Sequence, residues 1–368
     1  MTDTWKQIIS FESLYRAAKV CRRSVMWKDA TARWCANGLK EIYRLRQELL
    51  DGTYQIRRYH CFVVTDPKRR EVMATSMRDR VFQRSMCDNY LYHALTKGLI
   101  RDNFACQKGR GVDDALDRMD AHLHRYYRHN GADGWVLKCD IRKYFASTRH
   151  DVAKAAVRKR VSDDHVYQAV CQIIDSFGAD GVGIGLGSQV SQLVELCVLD
   201  DMDHMIKERL RVKHYLRYMD DFVLIHPDKE FLLKCWREIE AHLAEIGLEL
   251  NQKTQLSPLA HGVKWLKWRF VLTDSGRVVR YPARGRIIHE RRKLRRIHGL
   301  VVAGRVDDDL PVVSFVSWAA STERHQFRTN RRRRSTGRSV KRTPSSLAVD
   351  QMRRRFFSLY GYDPYHVR

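Results

Sequence analysis

Three aspartates carry the first chemical signal in this sequence. Asp140 follows the mostly apolar run Trp135-Val136-Leu137-Lys138-Cys139, and Asp220-Asp221 sit in a turn between His214-Tyr215-Leu216 and Phe222-Val223-Leu224-Ile225. Runs of this kind predict strands, so each carboxylate stands at the end of one. If those strands are neighbours in one sheet, the carboxylates converge on a small volume. Such a cluster is unstable unless divalent cations neutralise it, and hard oxygen donors at an open site favour Mg²⁺ bridging to a substrate phosphate. Two ions about 3.5–4 Å apart would clamp the attacking and leaving oxygens of an in-line displacement. An Asp-Asp pair alone is a weak signal. Asp113-Asp114, Asp163-Asp164 and Asp200-Asp201 also occur, and they read as solvated helix faces. The hairpin setting singles out Asp220-Asp221.

The elements that must position these residues follow from periodicity. Residues 1–52 predict helix, with Leu39, Ile42, Leu45 and Leu49 on one stripe and Asp51-Gly52 ending the run. Residues 61–65 and 71–74 predict two short strands joined by the basic turn Asp66-Pro67-Lys68-Arg69-Arg70, and residues 80–93 predict helix. A glycine-rich loop at 178–187 leads into a helix over about 190–210. Leu232, Trp236, Ile239, Leu243 and Ile246 mark a helix face that Gly247 ends, and 265–272 with 278–281 suggest a hairpin. Further on, Ile287, Leu294, Ile297 and Val301 stripe an otherwise cationic helix, with 312–320 as its partner. The Arg/Ser/Thr-rich stretch 331–346 predicts disorder in the unbound chain.

Charge points to a polyanionic partner. Lys and Arg total 68 against 43 Asp and Glu, a net charge of +25. The excess is concentrated: residues 284–355 hold 20 basic and 6 acidic side chains. No apolar run reaches spanning length and the first ten residues lack a signal core, so no membrane association is expected. Nine cysteines without a Cys-x-x-Cys pair read as reduced thiols of a cytoplasmic protein.

Tyr218-Met219-Asp220-Asp221 in its strand-turn-strand setting resembles the palm motif of reverse transcriptases, and Asp140 fits their first catalytic aspartate. The resemblance runs in the family's order from about Tyr59 to Phe270. It implies an α+β right-hand polymerase fold of fingers, palm with antiparallel sheet, and helical thumb. The corresponding division is 1–52 as an N-terminal helical extension, 53–134 as fingers with part of the palm, and 135–283 as palm with primer grip. Residues 284–322 would be the thumb and 323–368 a basic C-terminal extension. It also implies metal ligation by Asp140, Asp220, Asp221 and the Ile141 carbonyl, for two Mg²⁺ ions with Mn²⁺ as the alternative. Phe145 matches the steric gate against a ribose 2′-hydroxyl. Lys68 and Arg70 resemble the cations that grip the incoming triphosphate, with Arg78 and Arg80 available to triphosphate or template. Lys253 matches the lysine near the pyrophosphate, a candidate general acid. Trp265 and Lys267 fall in the primer grip, and Arg291, Arg292 and Arg295 would lie along the duplex backbone. Arg332 and Arg333 would contact phosphates through charge alone.

One segment narrows the resemblance. Leu186-Gly187-Ser188-Gln189-Val190-Ser191-Gln192 has an aliphatic residue before the glycine and Gln192 after the serine, where most of the family has Gln-Gly-x-x-x-Ser-Pro. That pattern is similar to the reverse transcriptases of diversity-generating retroelements, within the group II intron and retron-like superfamily, which copy a template RNA with frequent errors at adenines. Leu186, Gly187 and Gln192 therefore join the expected nucleotide-binding residues. Departures from that subfamily are Ser76-Met77 in place of Pro-Phe, Lys267 in place of Gly, and a longer Arg-rich tail. The expected function is RNA-directed DNA synthesis on a dedicated structured RNA. The partners are that RNA, its cDNA and deoxynucleoside triphosphates, with a small basic accessory protein or self-association. A cytoplasmic setting, bacterial or phage-encoded, goes with it. The alternatives are an antiphage defence enzyme with the same chemistry and a non-catalytic, maturase-like RNA-binding scaffold.

Overall fold

The computed structural model describes residues 1–65, 69–178 and 180–366. Two compact units are distinguished: Met1–Gly111, Lys138–Phe222 and Leu233–Gln255 form one, and Val112–Leu137, Val223–Leu232 and Leu256–Arg368 the other. The fold is mixed α+β, as expected.

The first unit opens with four helices, Asp3–Ile8, Phe11–Cys21, Asp29–Ala36 and Gly38–Leu50. Thr2 and Ser10 cap the first two by accepting from the backbone N–H of Trp5 and Ser13. Ile42, Leu45 and Leu49 are buried, but Leu39, in the first turn of its helix, is 61 % exposed, so the stripe is one residue shorter than predicted. Strands β1 (His60–Val64) and β2 (Arg70–Ala74) pair antiparallel, from His60↔Ala74 to Val64↔Arg70. Ser76, one of the departures noted above, caps the next helix, Met77–Met86, by accepting from the Asp79 N–H.

β3 (Trp135–Asp140), β4 (His214–Tyr218), β5 (Asp221–His226) and β6 (Gln255–Pro258) make a four-stranded sheet in the order β4-β5-β3-β6. Tyr215, Leu216 and Phe222 to Ile225 are fully buried, which fixes the register of the β4–β5 hairpin. Helix Gln189–Val198 is capped by Ser188 and ends at Leu199, and a second helix, Asp200–His204, follows it, so the single helix predicted over 190–210 is interrupted. Two acidic pairs expected on solvated faces are put to internal use. Asp163 caps helix Asp164–Asp175 through the Val166 N–H, and Asp200, 7 % exposed, pairs with Arg160.

In the second unit β7 (Val263–Trp265), β8 (Trp268–Leu272) and β9 (Val278–Pro282) form an antiparallel meander. Helices Arg284–Val302, Leu310–Glu323, Phe327–Ser335 and Pro344–Tyr360 follow. The last two place 331–335 and 344–346 in helices, against the expectation of disorder over 331–346, while 336–343 forms no helix or strand. Leu294, Phe315, Trp318, Val349, Met352 and Phe356 share one buried cluster, and that burial stabilises an order the local composition could not signal. Among the described residues no helix is long and apolar enough to cross a membrane.

Candidate active site

The tip of the β4–β5 hairpin is a tight turn in which Met219 takes a left-handed backbone conformation, φ +56°. Asp221 then opens β5, and Asp140 closes β3. The backbone ties the acidic residues together. The Ile141 N–H donates to the Asp220 carbonyl at 3.2 Å, and the Asn251 N–H donates to the Asp140 carbonyl at 2.7 Å. The Arg142 N–H reaches the Glu249 carbonyl at 2.9 Å, and Ile141 bridges antiparallel to Leu250. Lys253 follows in an exposed turn, its N–H on the Asn251 side chain at 3.1 Å. Asp140, Ile141, Asp220, Asp221 and Lys253 are thus carried on adjoining backbone segments.

The electrostatics agree. Burial pushes the Asp221 carboxyl up to about 7, and the nearby Asp140 and Asp220 carboxylates push in the same direction. Lys138, with its ammonium 3.7 Å from Asp221, pulls the other way without cancelling the rise. Crowded, partly desolvated carboxylates of this kind suit a divalent cation, whose charge offsets both burial and mutual repulsion. Among the described residues no group of three His, Cys, Asp or Glu side chains is close enough to cage an ion by itself. The donor set fits Mg²⁺ held by one or two carboxylates, with substrate phosphates and water completing its shell.

Phe145 is half-buried on the short helix Tyr144–Ser147, its ring edge-on to Tyr144 at 5.8 Å. The Leu186 carbonyl accepts from the Met73 N–H in β2 at 2.9 Å. Gly187, at φ +127°, lies so close to Met73 that a Cβ there would stand 2.7 Å from its carbonyl oxygen. Only glycine fits that approach. Gln192 is exposed, accepting from the Cys106 thiol at 3.5 Å, and Arg70 is exposed at the start of β2. Lys68 lies outside the described residues.

Arg78, expected at a nucleotide or template, is instead 3 % exposed. Its guanidinium donates to Asp79 at 2.9 Å and to the Gln55 carbonyl at 3.1 Å, pairs with Glu48, and stacks over Tyr54 at 4.6 Å. It ties this region together and is not offered to a ligand. Arg80 is half-buried, with one donor on the Thr75 carbonyl.

The remaining expected residues belong to the second unit. Trp265 is 1 % exposed in β7, and Lys267 is exposed in the β7–β8 turn at φ +65°. On helix Arg284–Val302, Arg292 and Arg295 are exposed and Arg291 half-buried. Arg332 and Arg333 are exposed, whereas Arg334 beside them is buried.

Sequence reasoning missed two buried groups next to the cluster. Arg217, within β4, pairs with Asp203, and both are fully buried. The signal was present: a charged residue inside an otherwise apolar strand needs a buried partner. Glu195, on helix Gln189–Val198, is fully buried, and burial lifts its carboxyl to about 8 despite a 3.1 Å hydrogen bond from Thr148.

A mixed α+β chain with clustered carboxylates at a strand-turn-strand tip defines a nucleotidyl-transfer type of site. Residues 65–270 match the family described as reverse transcriptase (RNA-dependent DNA polymerase), more than half of the chain. The chain belongs to that family, and its matched domain is that of an RNA-directed DNA polymerase with a right-hand fold. It is similar to protein YkfC of Escherichia coli (strain K12), 25 % identical over 281 residues that cover 63 % of this chain and 71 % of YkfC. Among solved structures it resembles apo telomerase of Candida tropicalis truncated from its C-terminal domain, at 12 % identity and a TM-score of 0.46, over 69 % of this chain and 59 % of that one. A second telomerase structure, in complex with a TWJ fragment of telomeric RNA, gives 12 % identity and 0.48, over 64 % and 48 %. This chain thus spans roughly half of those telomerases.

Proposed function

We propose that this reverse transcriptase copies a dedicated structured RNA into cDNA within a diversity-generating retroelement. The observation that carries the catalytic part is the coupling at Asp221, whose carboxyl is raised by burial and by two acidic neighbours, Asp140 at the end of β3 and Asp220 in the turn before β5. Asp140, Asp220 and Asp221 with the Ile141 carbonyl would hold Mg²⁺, which lowers the pKa of a primer 3′-hydroxyl and offsets charge on the leaving pyrophosphate. The side chains do the rest. The Phe145 ring leaves no room for a ribose 2′-hydroxyl, while Arg70 and Lys68 grip the triphosphate. Lys253, exposed beside the cluster, serves as proton donor to the leaving group. Trp265 and Lys267 hold the primer. Arg80, Arg291, Arg292, Arg295, Arg332 and Arg333 meet nucleic-acid phosphates.

The retroelement part rests on Leu186. Its backbone is pinned to β2 and its side chain is half-exposed, so an aliphatic group replaces an amide that would hydrogen-bond the nucleotide sugar. Discrimination between nucleotide poses then loosens.

Asp220→Asn tests the catalytic reading. Purified protein should lose Mg²⁺-dependent deoxynucleotide incorporation by at least a thousandfold while keeping its thermal midpoint, and full incorporation would refute the assignment. Leu186→Gln tests the subfamily. Misincorporation opposite template adenines should fall several-fold, and an unchanged error spectrum would favour the defence reading.

A further inference from the structure

The tip that carries Asp220 and Asp221 has little to hold it from its own sequence. Met219 is a non-glycine residue in the left-handed region, a conformation that persists only where its surroundings over-determine it. Besides the Ile141 N–H on the Asp220 carbonyl, a buried side chain reaches the left-handed residue itself. The Arg217 Nη1 donates to the Met219 carbonyl at 3.0 Å.

Arg217 is itself immobilised. Its Nε donates to both Asp203 oxygens at 2.8 and 3.0 Å, and its Nη2 donates to Asp203 Oδ2 at 2.6 Å and to the Leu196 carbonyl at 3.2 Å. Asp203 is fixed in turn by the Tyr215 hydroxyl, which donates to Oδ1 at 2.5 Å. The Arg217 backbone is held as well, its N–H on the Asp102 carbonyl at 2.9 Å and its own carbonyl accepting from Phe104 at 3.2 Å. A rigid fork clamped on one side to a carboxylate thus presents its other edge to the carbonyl one residue before Asp220.

From this geometry we infer that Arg217, clamped by Asp203, is a positioning residue that sets the left-handed turn at Met219 and so aims Asp220 and Asp221. The inference rests on those aspartates being the catalytic ones. Arginine suits the task because its planar fork donates in divergent directions at once, whereas a lysine ammonium is a single point. An ordinary buried ion pair would need only Asp203. The contact to Met219 is the part a purely structural role leaves unexplained.

The test uses full-length protein extending an oligo(dT) primer on poly(rA) with Mg²⁺ and dTTP. Arg217→Lys keeps a charge for Asp203 and gives up the reach to Met219. It should lower kcat at least tenfold, with KM for dTTP within twofold of wild type and the folded fraction unchanged. Asp203→Glu, which keeps the pair and shifts the guanidinium by a methylene, should show the same split and decides the matter if Arg217→Lys fails to fold. Met219→Gly supplies the sharpest readout, because glycine adopts positive φ without a Cβ penalty. In that background Arg217→Lys should cost less than threefold in kcat. Wild-type kcat in Asp203→Glu, a loss that only tracks the unfolded fraction, or an equal loss with and without Met219→Gly would each overturn the inference. Asp220→Asn separates the two failures: an active Asp220→Asn enzyme sinks the underlying site, whereas an inactive one beside fully active Arg217 variants sinks only the positioning role.

Discussion

Arg217 in β4 and Arg334 in helix Phe327–Ser335 are both buried against carboxylates, in sequence settings that could hardly differ more. Arg217 is a lone charge among Tyr215, Leu216 and Tyr218, conspicuous for its apolar neighbours. Arg334 closes the run Arg331-Arg332-Arg333-Arg334, where nothing distinguishes it from the rest. Yet Arg334 is 4 % exposed, with Nη1 and Nη2 on Glu323 at 2.8 and 2.7 Å, Nε on Asp350 at 2.6 Å, and Nη2 also on the Ser346 carbonyl. It joins three helices of the C-terminal region. A charge run predicts a solvated face, and helical geometry turns one member of it inward.

The largest expected effect breaks that comparison open. Arg334→Ala leaves the Glu323 carboxylate buried, with Asn330 as its remaining donor at 3.0 Å, and should destabilise the chain by roughly 3–5 kcal/mol in thermal or urea unfolding. Arg332→Ala and Arg333→Ala, both exposed, should stay within about 0.5 kcal/mol of wild type. Their effect should fall on RNA affinity. For each phosphate an arginine no longer neutralises, the slope of log affinity against log salt should flatten by roughly 0.7–0.9. If all three substitutions destabilise equally, the partition into one structural and two binding arginines is wrong. Unfolding with Arg334→Ala would also mean that neutralising the four arginines together tests stability rather than RNA binding.

Much of the candidate site was legible because it is built from short-range signals. Apolar strands ending in aspartate, the Tyr218-Met219-Asp220-Asp221 turn and Gly187 each declare themselves within a few residues. The order of the C-terminal helices did not, since it depends on Phe315, Met352 and Phe356 meeting across long stretches of chain. Arg78 misled for a related reason. Its partners Glu48, Gln55 and Tyr54 lie more than 20 residues upstream, and nothing near it signals burial. The acidic pair at Asp200 likewise reads as surface because its partner Arg160 lies 40 residues upstream, whereas Asp163 is a local N-cap on the Val166 N–H.

Glu195 sharpens the contrast with Glu323, for it is buried without an arginine fork. Burial raises its carboxyl from 4.5 to about 8, and its Oε1 has no hydrogen-bond partner among the described residues. An unfolded chain releases that proton near 4.5 while the folded chain keeps it up to about 8. Stability from this group is therefore full below 4.5, is lost as pH rises to about 8, and is flat above that. Glu195→Gln cannot ionise and should escape the loss. The variant should gain on wild type between pH 5 and 8, by an amount on the order of a few kcal/mol at the upper end. Unfolding midpoints of the two proteins at pH 5, 6.5 and 8 check this, and parallel curves would show that Glu195 is paired in solution.

The smallest effect concerns another left-handed turn. Like Met219, Leu266 and Lys267 take positive φ, +47° and +65°, in the two-residue connection that lets Trp265 pair with Trp268. Here both strain-bearing residues lie in a hairpin that favours glycine at the second position. No buried fork holds this turn among the described residues. A backbone bond from the Ala283 N–H to the Lys267 carbonyl, at 3.0 Å, fastens it. Lys267→Gly should therefore raise stability by about 0.5–1 kcal/mol, seen as a higher thermal midpoint. If the exposed Lys267 ammonium also steadies the primer, the same variant should bind primer–template several-fold more weakly while melting later. A gain in stability with unchanged primer affinity would leave the turn as geometry alone, and an activity loss without that gain would mean the lysine side chain, not the backbone, carries the position.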